Sequence, residues 1–270
     1  MTLKLGLIGL GVIGRTVARA VLEGSAGDAR VVAVLVRDAG KHANDVTSFP
    51  WPITDQPELF FDQPMDLVVE AAGHEAVRRY AAASLRSGRD FLTLSVGALA
   101  DETLLAQLQE AATASGRQIL VPSGAIGGLD AISAAAVGGL EEVTITTRKP
   151  PEAWKGTAAE QQVKLEDLAG PVCLYEGPAR QAALLYPQNV NVQAALALAG
   201  VGPDRTRSRI YADPTVQHNT HEIVARGAFG EIRVTIGNLP SEGSAKTGRL
   251  TAMSLVKAIR HRTAPLVIGL

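Results

Sequence analysis

Gly9-Leu10-Gly11-Val12-Ile13-Gly14 follows an apolar run, residues 3–8, and leads into Ile13, Val17, Ala20 and Val21, which recur at helical spacing. A G-x-G-x-x-G string alone says little in a chain with 27 glycines. Its place between a predicted strand and a predicted helix makes it specific. There Gly9 can make the tight turn, Gly11 can admit a pyrophosphate, and Gly14 can let helix approach strand. The N–H groups of Val12, Ile13 and the helix start attract the phosphates. The competing reading is a glycine turn needed only for packing. Residues 31–36, a second apolar run rich in valine, complete a βαβ unit.

Outward from that unit the pattern continues. Residues 66–70 (Asp-Leu-Val-Val-Glu) read as a strand, 75–87 as a helix stopped by Gly88, and 91–96 as a strand. Asp101 is a candidate N-cap for a helix through Ala114 that Gly116 ends, before a strand over 118–121. This alternation predicts a Rossmann-type, doubly wound parallel sheet in an α/β domain, residues 1–122. Ala71 follows the third strand, where such sheets bind ligands, so its backbone is expected near the cofactor, whereas His74 reads as a helix-start residue. The second strand ends Leu35-Val36-Arg37-Asp38, with Val36 or Arg37 at the position where an acidic residue would accept from a ribose. Arg37 is therefore expected on a 2'-phosphate, with NADP used at least as well as NAD; the alternative is a solvated surface charge.

From residue 123 onward the reading changes. Residues 130–136 and 191–198 read as helices, while 142–148, 209–212, 222–226 and 231–236 alternate with period two. A second α+β domain over residues 123–246, with a mixed or antiparallel sheet open on one face, follows. A last amphipathic helix, about 247–262, is expected to pack back on the first domain. Residues 150–160 look like a functional loop and 240–248 like an interdomain connection.

The composition excludes several classes. The 270 residues exceed one average domain, and 46% apolar against 20% charged residues rules out a disordered chain. The formal charge is −1 and aromatic residues are 4%, so neither a basic surface nor stacking platforms suggest nucleic acid. Cys173 is the only cysteine, which excludes an intrachain disulfide and a thiol metal site. The first apolar run meets glycines in place of a cleavage site, arguing against a signal peptide and for a cytoplasmic protein. Residues 119–140 imitate a membrane span, but Pro122, Ser123 and five glycines break it, so no membrane partner is expected.

Of five histidines only His218 and His221 cluster, in Gln217-His218-Asn219-Thr220-His221-Glu222. On an alternating strand His221 and Asn219 share one face and His218 takes the other. An imidazole titrates near neutrality and suits proton transfer. His-x-x-His on a strand does not present both rings to one ion, and no carboxylate cluster accompanies it, so no metal is expected. Packing or surface histidines remain an alternative.

Five segments together resemble the L-aspartate dehydrogenase family: Pro122 to Asp130, Arg148-Lys149-Pro150-Pro151 with Trp154 and Gly156-Thr157, Asn189 to Val192, Ala199 to Gly202, and Asp213-Pro214 through Ile223. The resemblance runs in order along essentially the whole chain. It implies oxidative deamination of L-aspartate with NAD or NADP to iminoaspartate, which hydrolyses to oxaloacetate and ammonia or feeds NAD biosynthesis, and a homodimer or higher oligomer. By position it implies that His221 is the catalytic acid/base and that Ala125 and Asn191 contact the nicotinamide side of the cofactor. A dicarboxylate also requires donors at both ends. The Gly124 to Leu129 loop at a helix start, with Ser123 beside it, offers N–H groups and is the first candidate; Lys246, Arg148 and Lys149 offer charge, with Lys246 ranked second and solvated side chains the competing reading for Arg148 and Lys149. A dihydrodipicolinate reductase would show paired histidines, a lysine and an Asp-Ala-Pro-Ser-Gly run, which are missing. A silent dinucleotide sensor, or another amino-acid or imine oxidoreductase, stays open, since fold alone does not fix function.

Overall fold

The computed structural model describes residues 2–46, 48–186, 190–241 and 244–269. They form two compact units, Met1–Pro122 with Ala252–Leu270, and Ser123–Thr251. In the first, β1 (Leu3–Ile8), α1 (Val12–Leu22), β2 (Ala29–Leu35), α2 (Ala43–Val46), β3 (Ile53–Thr54), α3 (Pro57–Phe61), β4 (Leu67–Glu70), α4 (His74–Arg86), β5 (Asp90–Thr93), α5 (Glu102–Ser115) and β6 (Ile119–Leu120) follow in order. The strands are parallel in the order β3-β2-β1-β4-β5-β6, the Rossmann arrangement. Strand residues such as Leu5, Leu7, Val34, Leu67 and Leu92 are buried, which is why these segments read as unbroken apolar runs.

Two punctuation marks act as their chemistry predicts. Asp101 Oδ1 accepts from the N–H groups of Thr103 (3.0 Å) and Leu104 (3.1 Å), capping α5, and Gly116 closes it in the left-handed conformation, φ 64°. The strand expected over 91–96 is shorter. It stops at Thr93 because Thr93 and Ser95 both turn to the Glu70 carboxylate, and Val96–Ala100 then forms a 3-10 turn.

The second unit contains α6 (Leu129–Val137), β7 (Leu140–Lys149), β8 (Val172–Pro178), α7 (Ala179–Leu185), α8 (Val190–Ala199), β9 (Arg207–Ala212), β10 (Asn219–Gly227), β11 (Gly230–Asn238), β12 (Pro240–Ser241) and β13 (Ser244–Gly248). Its mixed sheet runs β11-β10-β7-β9-β8, with only β7 and β9 parallel. Period-two alternation sets its layers. Ile223 and Ala225 of β10 stand opposite Ile145 and Val143 of β7 and share a core with Ile132 of α6 and Leu196 of α8. The opposite face is polar, as expected, with Arg226 paired to Glu142 at 3.0 Å and to Glu231 at 2.6 Å. Residues 240–248, expected as a connection, instead include the hairpin β12–β13, and β8 with α7 was not expected at all. The last helix, α9 (Arg249–His261), places Leu255 and Ile259 in the core of the first unit.

Replacing Asp101 by Ala leaves two first-turn N–H groups of α5 uncapped; urea unfolding is expected to show a loss of about 1 kcal/mol.

Candidate functional site

The glycine turn has the geometry a dinucleotide needs. Gly9 adopts φ +96°, and a Cβ there would press on Ala72 and the Ala71 carbonyl. A Cβ at Gly14 would collide with the Gly9 carbonyl oxygen, so helix and turn meet only because both residues are glycine. At Gly11, the N-cap of α1, a Cβ would enter open space and no side chain caps the helix. Anionic oxygens can therefore approach the first-turn N–H groups beginning at Val12 and Ile13.

Beside that turn lies an element that sequence reading missed. Glu70, at the end of β4, is fully buried. Its Oε1 accepts from the N–H groups of Ala72 and Gly73, each at 2.7 Å, and from Ser95 Oγ at 2.9 Å; its Oε2 accepts from Thr93 Oγ1 at 2.6 Å and Ser95 N–H at 3.2 Å. One carboxylate thus fixes the turns after β4 and β5. The first of these carries Ala71 and Ala72, against which Gly9 rests. The available signal was an acidic residue closing an apolar strand ahead of Ala-Ala-Gly.

At the end of β2, Val36 is buried and Arg37 is exposed, so neither residue at the strand's tip is a carboxylate. Asp38 is engaged locally, accepting from Gly40 N–H at 3.0 Å and pairing with Lys41 at 3.5 Å. Arg15 of α1 grips Asp45 through two contacts of 3.0 and 2.7 Å, and His42 Nδ1 lies 2.8 Å from the same carboxylate.

In the second unit the β7–β10 register sets Thr147 opposite His221. Both are buried, and Thr147 Oγ1 lies 3.1 Å from His221 Nδ1. Burial drives the imidazole pKa down to about 3, with the Lys149 cation acting in the same direction. The ring is therefore neutral at working pH, and Nε2 is the nitrogen left for proton exchange once Nδ1 engages Thr147. Lys149, read from the sequence as solvated, is only 8% exposed, with Nζ 5.1 Å from the Trp154 ring. Burial lowers its pKa to about 8. Arg148 points the other way, to Asp213 at 3.0 Å and over Tyr211. Burial pushes the Asp213 carboxyl up, but the Thr215 hydroxyl and N–H and the Arg148 guanidinium outweigh it and hold the pKa below the ordinary value.

Comparison with known proteins gives this arrangement its context. A profile described as "Aspartate dehydrogenase, C-terminal" matches residues 130–262, and one described as "Homoserine dehydrogenase, NAD binding domain" matches residues 9–122. An L-aspartate dehydrogenase from Polaromonas sp. is 42% identical over 98% of this chain and 100% of its own length. The chain belongs to the L-aspartate dehydrogenase family. Another member, from Ruegeria pomeroyi, is 48% identical over 76% of this chain and 74% of its own. The crystal structure of aspartate dehydrogenase from Thermotoga maritima superposes with a TM-score of 0.79 at 27% identity, covering both chains fully. A homoserine dehydrogenase from Thiobacillus denitrificans shares the fold alone, TM-score 0.63 at 17% identity.

Within this L-aspartate dehydrogenase relative, the remaining sequence-predicted residues fall as follows. Ser123, Gly124 (φ +65°) and Ala125 form the loop before α6, and Asn238 Nδ2 donates to the Ala125 carbonyl at 2.7 Å. Asn191 is exposed in the first turn of α8. Lys246 lies in β13, with its side chain outside the described residues, as Asn189 is altogether. His218 precedes β10 and lines a cleft of about 660 Å³ together with Pro150, Glu152, Pro214 and Asn219; neither His221 nor Lys149 contributes to its walls. Among the described residues no cluster of His, Cys, Asp or Glu is set to hold a metal ion, and no helix is long and apolar enough to cross a membrane. Thr147 could have been found by phase: in Thr-Ile-Thr-Thr it alternates with Ile145, as His221 does with Ile223.

Glu70→Gln turns one acceptor into a donor facing N–H or O–H groups. The expected result is a lower melting temperature, about 1–3 kcal/mol of stability, with weaker binding of the reduced dinucleotide in a fluorescence titration.

Proposed function

We propose that this chain catalyses the NAD- or NADP-dependent oxidative deamination of L-aspartate to iminoaspartate, which water hydrolyses to oxaloacetate and ammonia. The observation that carries the reading is the buried, neutral His221 ring held by Thr147 in a chain of this family. In the first unit the Gly9 to Gly14 turn would hold the pyrophosphate on the N–H groups of α1, with the Ala71 backbone near it; in the second unit Ala125 and Asn191 are assigned to the nicotinamide side on the family resemblance alone. When bound, the nicotinamide supplies the acceptor for the hydrogen and two electrons that leave the substrate α-carbon.

The chain's own task is the proton. With Nδ1–H donating to Thr147 Oγ1, the Nε2 lone pair accepts a proton from the substrate nitrogen as the C–N bond becomes a C=N bond. A ring with a pKa near 3 is a weak base by itself. The two carboxylates of the substrate raise its proton affinity when they arrive, so the base becomes effective in the complex. Ser123, Gly124 and Lys246 are assigned to the substrate on the requirement for donors at both ends. As a cytoplasmic homo-oligomer the enzyme would deliver its imine to pyridine-nucleotide synthesis, a reading that rests on the family alone.

The test is direct. Mixing the protein with L-aspartate and either cofactor is expected to generate reduced nicotinamide, followed by absorbance. His221→Ala should bind cofactor as the parent does and lose roughly 10²- to 10⁴-fold in kcat. Cofactor binding without turnover in the parent would instead favour a dinucleotide sensor.

Cofactor choice follows from the tip of β2. With Val36 buried there and Asp38 engaged with Gly40 and Lys41, Arg37 is the residue proposed to meet a 2'-phosphate. Arg37→Ala is expected to raise the KM for NADP about tenfold, the loss of one charged hydrogen bond, while leaving that for NAD unchanged. Equal changes for both cofactors would remove Arg37 from this role.

A further inference from the structure

Arg15 directly follows Gly14, in the first turns of the helix that the glycine motif opens. Its Nε and Nη2 donate to the two oxygens of Asp45 at 3.0 and 2.7 Å, a bidentate fork that fixes the plane of the guanidinium. His42 Nδ1 lies 2.8 Å from the same carboxylate. The Arg15 hydrogen bond, with that of His42 acting in the same direction, holds the Asp45 carboxyl below its ordinary value against the effect of burial. Both Asp45 and His42 belong to the segment that follows the tip of β2, and that segment is folded back on the strand ends. Asp38 Oδ1 accepts from Gly40 N–H at 3.0 Å, and Ala39 N–H donates at 3.2 Å to Asp55, just beyond β3. β3 in turn pairs with β2 at Thr54 and Leu35. The fork therefore runs from the glycine helix to the region of the β2 tip, the two elements that bracket the adenosine ribose of a dinucleotide in this fold.

The charges around that tip are arranged for an anion. A ribose 2'-hydroxyl calls for a carboxylate acceptor, whereas a 2'-phosphate calls for donors. Asp38, Asp45 and Asp55 are the carboxylates of residues 37–56, and each already accepts from a neighbour. Asp45 is the most committed, with Arg15 on both oxygens and His42 on one. On the donor side Arg37 is exposed at the strand tip, and the Arg15 side chain keeps 41% of its surface open while its Nη1 takes no part in the fork. An ion pair this accessible contributes little to stability, so what matters is where it puts the guanidinium. We infer that Arg15 is a second cation of the site for the 2'-phosphate of NADP, meeting it through Nη1 while Asp45 holds the opposite edge of the guanidinium in place. This rests on the cofactor reading given for Arg37 above. A planar group held on one edge by a carboxylate reaches the phosphate with little left to order, which favours binding.

The test needs no turnover. Adenosine 2',5'-bisphosphate and 5'-AMP differ only in the 2'-phosphate, and isothermal titration calorimetry gives the affinity of each. The wild-type protein is expected to bind the bisphosphate more tightly. Arg15→Gln should weaken the bisphosphate about tenfold, the loss of one charged hydrogen bond, and leave 5'-AMP within about twofold. Asp45→Asn still offers Arg15 an acceptor and removes a negative charge from beside the phosphate, so it should bind the bisphosphate as tightly as the wild type or more so. The two partners of one ion pair are thus expected to behave differently, which a purely structural tie between α1 and α2 would not produce. If Arg15→Gln does not fold, Arg15→Ala carries the same comparison. An unchanged bisphosphate affinity in Arg15→Gln would overturn the proposal, as would equal losses for both ligands. So would an Asp45→Asn variant that loses as much as Arg15→Gln. If the wild-type protein does not distinguish the bisphosphate from 5'-AMP, the NADP reading itself fails. A preference that Arg37→Ala abolishes and Arg15→Gln retains leaves that reading standing and removes Arg15 alone.

Discussion

A buried carboxylate organises the nucleotide half of this protein. Glu70 has no solvent to share its charge, and five donors, from the turn after β4, the last residue of β5 and Ser95 just beyond it, compensate for that loss. The consequence reaches the glycine motif. Gly9 lies so close to Ala71 and Ala72 that neither turn can move without the other, and Gly14 lies against the Gly9 carbonyl. The N–H groups offered to a pyrophosphate are therefore positioned by a chain of close contacts that begins at a side chain outside the G-x-G-x-x-G string. Preorganisation of this kind lowers the ordering cost of binding.

In the second unit the corresponding constraint is strand register. A shift of one residue between β7 and β10 would exchange the faces, putting Glu222 inward and His221 out. The register is set by apolar pairs further along the strands, Ile223 with Ile145 and Ala225 with Val143, which share the core with Ile132 and Leu196. The same packing that stabilises the sheet thus buries the imidazole beside Thr147 and the ammonium two residues further on. Burial then sets the chemistry of His221, by keeping the ring neutral.

The parts of this architecture that were legible in the sequence are those where one physical rule dominates. Parallel strands buried on both faces read as apolar runs, and the caps at Asp101 and Gly116 were visible as residue types in place. The face of His221 followed from alternation alone. β8 and α7 were not legible: Val-Cys-Leu-Tyr-Glu-Gly-Pro does not alternate, and the seven-residue helix after it leaves Leu184 and Leu185 exposed, so neither a period of two nor one of 3.6 marks the segment. The burial of Lys149 is not legible because a lysine is ordinarily solvated; it follows only from sharing a phase with Thr147 and from the Trp154 ring beside its ammonium. Glu70 escaped notice because its partners come from two separate turns.

Proton transfer in this protein depends on a neutral imidazole at His221 with Nδ1 protonated toward Thr147 and Nε2 open. Nitrogen-15 NMR of histidine-labelled protein, with the His221 signals assigned by their loss in His221→Gln, reads both tautomer and titration. The expected spectrum shows a protonated Nδ1 and an unprotonated Nε2 whose shifts stay constant from pH 5 to pH 9 in the absence of substrate, in keeping with a pKa near 3. A His221 that titrates near its ordinary value of about 6.5, or that carries its proton on Nε2, would contradict it.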